Sequence, residues 1–210
     1  MASRRTFFAS MTAGLAAAPW LSLPRSRRPR ADWDLGWLDD LAGVHRQVFD
    51  VGPVQHGLLH VVKNWLNAHN EVFGLRDDQL SAVVGLAARG FPANAGDPLW
   101  ERYPIGEQYG IVDPATGEPA RRSPFVHAEP GSDDVEESVP ELVRRGVIFW
   151  QCNNALHGVA EGFARATKQD HATVYQDLRA NLLPHVKLVP AHTMLVGLCQ
   201  ERGCTYEALV

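Results

Sequence analysis

The chain has 210 residues, of which 45% are hydrophobic and 21% are charged, and this ordinary globular composition excludes a disordered or fibrous protein. The formal net charge of -4 is unevenly distributed, because six arginines and no acidic residue lie within residues 1–30. Subtracting those six charges from -4 leaves about -10 for residues 31–210, a charge that repels phosphate backbones and excludes nucleic acid as a partner.

Residues 1–30 have the features of an export signal. Two adjacent arginines in Ser3–Phe8 (Ser-Arg-Arg-Thr-Phe-Phe) precede an apolar, alanine-rich run over 9–21, which is too short to span a bilayer comfortably. The order Ser-Arg-Arg-x-Phe resembles the twin-arginine signal, which implies export of a folded domain to the periplasm. Small residues for cleavage are present at Ala16–Ala18, but Pro19 is a poor start for a mature chain. We therefore expect a periplasmic protein, tethered to the membrane if the leader is retained.

Residues 31–210 alternate between strand and helix patterns. Four apolar runs predict strands, at Val44–Val51, Leu80–Ala87, Val147–Gln151 and Val186–Val189, of which the second and fourth are expected to be covered on both faces. Helical patterns cover Leu58–His69, a short helix from Asp97 through Trp100, Ala155–Ala166, Asp170–Leu183 and Thr193–Arg202. This alternation predicts one α/β domain: a mostly parallel sheet with helices on both faces.

One long connection, Tyr103–Pro140, interrupts this alternation. It is rich in proline, glycine and charge, and Asp113–Gly117 (Asp-Pro-Ala-Thr-Gly) is a turn signal within it. Since a loop of this length in a compact domain is usually functional or a contact surface, we expect one of those roles for the segment at about 103–140.

Ligands of open parallel sheets bind at the carboxyl ends of the strands, so the residues that follow the predicted strands are the candidate site. These residues are Asp50–Pro53, Ala88–Gly90, Cys152–Asn154 and Pro190–His192. Cys152 ends a strand and precedes a helix, where backbone N–H groups and the helix dipole favour a thiolate. The thiolate is the form that attacks disulfides and carries persulfide sulfur.

Five further residues complete the candidate site around Cys152. Asn153 and Asn154 would steady the charge on the sulfur, and His157, five residues along, would help to hold the thiolate. Arg89 and His192, at neighbouring strand ends, would hold an anionic sulfur substrate. The competing interpretations are that Cys152 is a buried, unreactive side chain and that His157 is a surface or packing residue.

The remaining cysteines and histidines leave other chemistry open. Cys199 and Cys204 flank the predicted helix end at Gly203, and either a local disulfide or two independent buried thiols fit this spacing. His56 and His60 are four residues apart, as pairs of metal ligands often are, but no third ligand is identifiable and no metal site is assigned. The chain lacks a phosphate loop, a dinucleotide fingerprint and a Gly-x-Ser-x-Gly elbow, so no cofactor is predicted.

The last third of the chain resembles the DsrE/DsrF-like proteins. Arg145–Leu156 matches the family's core motif, in which a glycine and a hydrophobic strand precede a cysteine and Asn-x-Leu opens a helix. Leu182–Ala191 is similar to the family's Leu-Pro-Gly-Val strand ending in Val-Pro, with His185 in place of the glycine. Gln200–Tyr206 is similar to the closing Gln-x-x-Gly-Tyr-x-Tyr, with Cys204 in place of an aromatic residue.

The resemblance extends over about 43–206, and the leader and Asp113–Gly117 are similar to an exported branch of the family. It implies a three-layer α/β sandwich, a homo- or hetero-oligomer, of which we expect a homo-oligomer here, and a cysteine at the position of Cys152 that accepts and passes on sulfane sulfur. The expected partners are then a small sulfur species or the thiol of a partner protein. The cytoplasmic relay partners of the family would be absent from the periplasm.

Three functions therefore compete. The first is a sulfur carrier or thiol-dependent sulfur-transfer protein that uses Cys152. The second is a non-enzymatic periplasmic binding or assembly subunit, and the third is a protein that binds a metal or haem through histidines. The sequence leaves open whether the protein is an enzyme.

Overall fold

The computed structural model of the protein describes residues 33–55, 57–128, 131–132 and 134–209, so the predicted leader over 1–30 lies outside the described residues. Its centre is a five-stranded sheet in the order β4-β3-β2-β1-β5, and every neighbouring pair of strands is parallel. The strands are β1 (His45–Val51), β2 (Leu80–Leu86), β3 (Ile148–Cys152), β4 (Lys187–Val189) and β5 (Thr205–Leu209).

Helices fill the connections between the strands. They are α1 (His60–Phe73), α2 (Asp97–Arg102), α3 (Ile105–Tyr109), α4 (Asp134–Glu137), α5 (Val139–Arg144), α6 (Asn153–Thr167), α7 (His171–Ala180) and α8 (His192–Glu201). Short 3-10 helices form at Gly36–Asp40, Asp77–Gln79 and Phe91–Asn94. Among the described residues, no helix has both the length and the apolar character needed to cross a membrane.

Two separate hydrophobic cores lie on the two faces of the sheet. Side chains alternate between faces along a strand, so Phe49, Val84 and Phe149 point to one side. They pack there in the larger core, which takes buried residues from α1, α5, α6 and α7, including Leu66, Leu142, Leu156, Phe163 and Leu178. This face carries most of the buried apolar area and therefore most of the hydrophobic stabilisation.

The opposite face is covered by α8 and the first 3-10 helix. Val48, Val83 and Trp150 point to this side and pack against Leu195 of α8 and Trp37 of the 3-10 helix. With helices on both faces, the chain is a three-layer α/β sandwich, which confirms the predicted fold class.

Several elements differ from the sequence-based expectation. The expected loop over 103–140 contains α3 and α4 and leads into α5. The strand β5 was not predicted, because its mixed polar composition matches an edge strand that is mostly exposed. Complete burial is found for β2, as predicted, but β4 lies at the other edge and is only partly covered.

The helix expected to end at Leu183 ends at Ala180 instead. Its start is as predicted, with the Asp170 carboxylate accepting a hydrogen bond from the backbone N–H of Thr173 at 3.0 Å. At the other end, the backbone N–H of Leu183 donates to the carbonyl of Asn94 at 2.9 Å. This contact with the Phe91–Asn94 segment takes the chain out of the helix before Pro184.

A glycine on the central strand makes room for the largest side chain of the smaller core. Trp150 is fully buried, and a Cβ atom added to Gly85 would lie 2.4 Å from the Trp150 ring and 3.0 Å from the His192 ring. Real Cβ atoms do not approach other atoms that closely, so Trp150 and His192 can lie over β2 only because residue 85 has no side chain.

We expect Gly85→Ala to destabilise the protein by about 1–3 kcal/mol, because the new methyl group forces the buried Trp150 out of place. The matched control is Gly158→Ala on the exposed side of α6, where an added Cβ meets nothing within 4 Å. That change should stabilise the helix by about 0.5–1 kcal/mol. Urea unfolding of both variants measures the two effects, and equal stabilities would contradict the packing described for Gly85.

Candidate functional site

Cys152 is both the last residue of β3 and the N-cap of α6. Its backbone is still extended, with φ -71° and ψ 119°, and its Sγ atom accepts a hydrogen bond from the backbone N–H of Ala155 at 3.4 Å. This is the position at which a side-chain acceptor satisfies one of the unpaired N–H groups of the first helical turn. The predicted strand–helix junction is therefore present.

The start of a second helix also faces the same sulfur. The backbone N–H of His192, the first residue of α8, donates to the Cys152 Sγ atom at 3.3 Å. The two segments are joined further by the backbone N–H of Asn154, which donates to the Pro190 carbonyl at 3.4 Å. Each helix start carries partial positive charge, so two such ends are directed at one sulfur.

The imidazole ring of His192 is held between two other strands. The Trp150 indole N–H donates to His192 Nδ1 at 3.2 Å, and His192 Nε2 lies 2.8 Å from a carboxylate oxygen of Asp50. An indole N–H can only donate, so Nδ1 must be the acceptor and Nε2 carries the hydrogen that is donated to Asp50. The contacts therefore fix both the orientation and the tautomer of His192.

The Asp50 carboxylate receives a second donor from β5. The Tyr206 hydroxyl donates to its other oxygen at 2.8 Å, and this hydrogen bond raises the pKa of Tyr206 above its usual value. Asp50, His192 and Tyr206 line a shallow groove of about 320 Å³ beside α8. Cys152 itself is only 5% exposed and does not line this groove.

Buried amides support the end of β3 from the other face of the sheet. The Asn94 side chain donates to the Trp150 carbonyl at 3.1 Å and to the Gln151 side-chain oxygen at 3.2 Å. The Gln151 amide donates in turn to the Cys152 carbonyl at 3.4 Å. Since Asn94 and Gln151 are fully buried, these bonds fix the backbone that positions the sulfur.

The two asparagines that follow Cys152 have different environments. The Asn153 side-chain oxygen accepts a hydrogen bond from the Tyr175 hydroxyl at 2.6 Å, which directs this group toward α7. The Asn154 side chain is exposed beside the junction. Both residues contribute to the first turn of α6, but neither side chain makes a hydrogen bond to the sulfur.

Of the residues predicted at neighbouring strand ends, His192 contacts Cys152 and Arg89 does not. Arg89 is exposed after β2 and forms no side-chain hydrogen bond or ion pair with any described residue. His192 lies at the site, where its backbone N–H contacts the sulfur and its ring contacts Trp150 and Asp50. These contacts hold the start of α8 against the ends of β1 and β3.

The structure places His157 in contact with α7. Its ring stacks on Tyr175 with centroids 3.9 Å apart and on His171 at 5.6 Å, and Arg179 lies over the Tyr175 ring at 5.8 Å. These ring contacts occupy the exposed side of the α6–α7 pair. The contact expected between His157 and Cys152 is not among those found in the described residues.

Three residues of this site were not assigned a role from the sequence: Asp50, Trp150 and Tyr206. The end of β1 was a candidate position, but nothing in the sequence indicated that a side chain from the end of β4 reaches across β2 to Asp50. Tyr206 lies on the strand that the sequence pattern did not reveal. A signal was available at Gly85, whose interruption of an apolar strand often marks a close approach.

Of the two histidines considered as metal ligands, His56 and His60, the structure describes only the second. His56 lies outside the described residues, and His60 is hydrogen-bonded to Glu137, which also accepts a bond from Lys63 at 3.0 Å. In the part of the chain that the structure describes, no three His, Cys, Asp or Glu side chains are grouped as metal ligands.

A second candidate site lies in the long connection. The predicted turn at Asp113–Gly117 forms, with the Asp113 side chain accepting a hydrogen bond from the Ala115 N–H at 2.8 Å. Beside it is a cavity of about 410 Å³, whose polar lining includes Asp113, Arg122, Ser123 and His127. His127 is paired with Asp97 at 2.7 Å, whereas the buried Ser123 hydroxyl has no hydrogen-bond partner.

Comparisons with known proteins do not assign a function. No protein-family model matches the chain, and no curated protein matches it. A solved structure of a protein of unknown function from Methanobacterium thermoautotrophicum is 18% identical, with 78% of this chain and 98% of that chain covered and a TM-score of 0.42. The functional interpretation therefore depends on the geometry of the site.

Proposed function

We propose that the protein is a sulfur carrier or thiol-dependent sulfur-transfer protein in which Cys152 is the acceptor nucleophile. The observation that carries this proposal is the position of its sulfur, which accepts backbone N–H groups from the first turns of both α6 and α8. A thiolate needs such donors where water is largely excluded, and an unreactive buried cysteine does not.

The proposed step is nucleophilic transfer of one sulfur atom. The Cys152 thiolate attacks the sulfane sulfur of a polysulfide, a new S–S bond forms, and the shortened polysulfide leaves with the bonding electron pair. The two N–H groups stabilise the negative charge on Cys152 before the attack. In the next transfer, an acceptor thiolate attacks the outer sulfur and Cys152 leaves as a thiolate, so that the protein is regenerated.

The surroundings of Cys152 favour a small, anionic sulfur donor. Because the residue is only 5% exposed, a large donor would have to displace the neighbouring chain. Arg89 is exposed at the same edge of the sheet with its charge uncompensated by any described residue, and we assign it the attraction of the anionic donor. Asn154, exposed at the start of α6, is assigned to the rim of the same binding site.

The sequence motif around Cys152 also supports the proposed sulfur-transfer function. We propose that the chain is an exported DsrE/DsrF-like protein, acting in the periplasm as a homo-oligomer, because of the motif at Arg145–Leu156 and the Ser-Arg-Arg-x-Phe leader. In that compartment, the sulfur acceptor would be a small sulfur species or the thiol of a periplasmic partner.

The test is intact-mass measurement after incubation with polysulfide. Wild-type protein should gain about 32 Da per transferred sulfur atom, and the Cys152→Ser variant should lose the addition that peptide mapping places on Cys152. Serine keeps a side-chain acceptor for the Ala155 N–H, so this variant retains the N-cap of α6 and should fold. No addition at Cys152 in folded wild-type protein would contradict the proposal.

A non-enzymatic binding subunit is the second candidate function, and the cavity in the long connection favours it. There the buried Ser123 hydroxyl lacks a partner and the exposed Arg122 forms no ion pair with described residues. A hydroxyl and a guanidinium are donors suited to a small oxyanion. On this account the ligand binds at Asp113–His127 and Cys152 is dispensable.

We expect inorganic phosphate to raise the melting temperature of the wild-type protein but not of Arg122→Gln, because binding to the folded state alone stabilises it. Arg121→Gln is the matched control, since Arg121 is an exposed neighbour that does not line this cavity. Differential scanning fluorimetry at constant ionic strength measures the shifts. Equal shifts in the two variants, or none in the wild type, would count against the second function.

A further inference from the structure

The two cysteines at the end of α8 occupy a backbone motif that brings their side chains together. The backbone N–H of Cys204 donates to the Cys199 carbonyl at 3.0 Å, and that of Gly203 donates to the Gln200 carbonyl at 2.9 Å, with Gly203 at φ +83°. This pair of bonds is the Schellman motif, in which the residue after the glycine contacts a side chain in the last helical turn. Here both contacting residues are cysteines.

Both thiols are reduced and almost completely covered by the smaller core. Cys199 is fully buried and Cys204 is 6% exposed, so a reagent from solvent meets Cys204 first. The neighbouring Cys204 thiol, together with burial, raises the pKa of the Cys199 thiol. The neighbouring Cys199 thiol and the positive charges of Arg46 and Arg202 outweigh the effect of burial and lower the pKa of the Cys204 thiol.

The charge beside Cys204 is held in place by the turn itself. The Arg46 guanidinium donates to the Gly43 carbonyl at 2.8 Å and to the Arg202 carbonyl at 2.7 Å, across the end of α8. This fixed cation and the neighbouring thiol give Cys204 the surroundings of an attacking thiolate and Cys199 those of a second, resolving thiol.

We propose that Cys199 and Cys204 form a dithiol redox site that reduces low-molecular-weight disulfides. The Cys204 thiolate attacks one sulfur of the disulfide, forms a mixed disulfide and releases the first thiolate. Cys199 then attacks the Cys204 sulfur while its proton passes to the departing sulfur, forming the Cys199–Cys204 disulfide and releasing the second half of the substrate as a thiol. The pair gives two electrons to the substrate disulfide, which leaves as two thiols.

This site is independent of the proposed sulfur-transfer function. The Cys152 sulfur contacts the start of α8 and the dithiol lies at the end of this helix, with six residues between His192 and Cys199. The two activities can therefore be removed separately. Substitution of Cys152 leaves the dithiol intact, and substitution of either partner of the dithiol leaves the N–H donors to Cys152 in place.

The experiment uses bis(2-hydroxyethyl) disulfide, a small disulfide suited to a thiol that is only 6% exposed, with the full folded chain. The Cys152→Ser protein, which lacks the other proposed reactive thiol, should release two equivalents of 2-mercaptoethanol and lose about 2 Da, the mass of two hydrogen atoms. Trypsin cuts after Arg202, between the two cysteines, so the bond joins the peptides 188–202 and 203–210 in a non-reducing digest. In Cys199→Ser the reaction should stop at the mixed disulfide on Cys204.

Three results would overturn the proposal. In the first, Cys199 and Cys204 both remain free thiols in the digest of folded wild-type protein treated with the disulfide. In the second, the Cys204→Ser variant forms a mixed disulfide on Cys199. In the third, the two cysteines are oxidised only after the protein is unfolded in urea. Cys199→Ala provides a second variant if serine is not accommodated in the buried position. Polysulfide addition to Cys152 in these variants reports the other site separately.

Discussion

The contact on which the candidate site depends is the convergence of two helix starts on one sulfur atom. Cys152 Sγ accepts the Ala155 N–H from α6 and the His192 N–H from α8, and these contacts join the ends of β3 and β4. The contact satisfies N–H groups that a helix leaves unpaired, so it serves folding as well as chemistry. A neutral thiol is a weak acceptor, and the proposed function therefore assigns these two donors to a thiolate.

Sheet topology explains why a second helix can reach this sulfur. Strands β1 to β4 follow one another in one direction across the sheet, and the chain then returns to place β5 on the far side of β1. Since crossovers between parallel strands are right-handed, the reversed direction puts α8 on the opposite face from α1 and α6. Its path passes over β2, where Gly85 leaves space for the Trp150–His192 pair to meet Asp50.

The sequence was sufficient for four of the five strands, for the layers and for the position of Cys152, because these depend on local apolar runs and on one residue at a strand–helix junction. It did not reveal β5, an edge strand without an apolar run, or the Asp50–His192 contact, which joins residues 142 positions apart. Of the two roles that the sequence left open for His157, the described contacts are those of a packing residue. Five residues beyond the N-cap correspond to about 140° around the helix axis, and His157 consequently packs against α7.

The most direct measurement of the central claim compares His192→Pro with His192→Ala. Both variants lack the imidazole, but only proline lacks the N–H that contacts Cys152. Proline suits the first position of a helix, and Ala191 before it is extended, with φ -150° and ψ 132°. Alkylation of Cys152 by iodoacetamide at neutral pH, followed by peptide mass, should be roughly tenfold slower in the proline variant. Equal rates in two folded variants would contradict the claim that this N–H stabilises a thiolate.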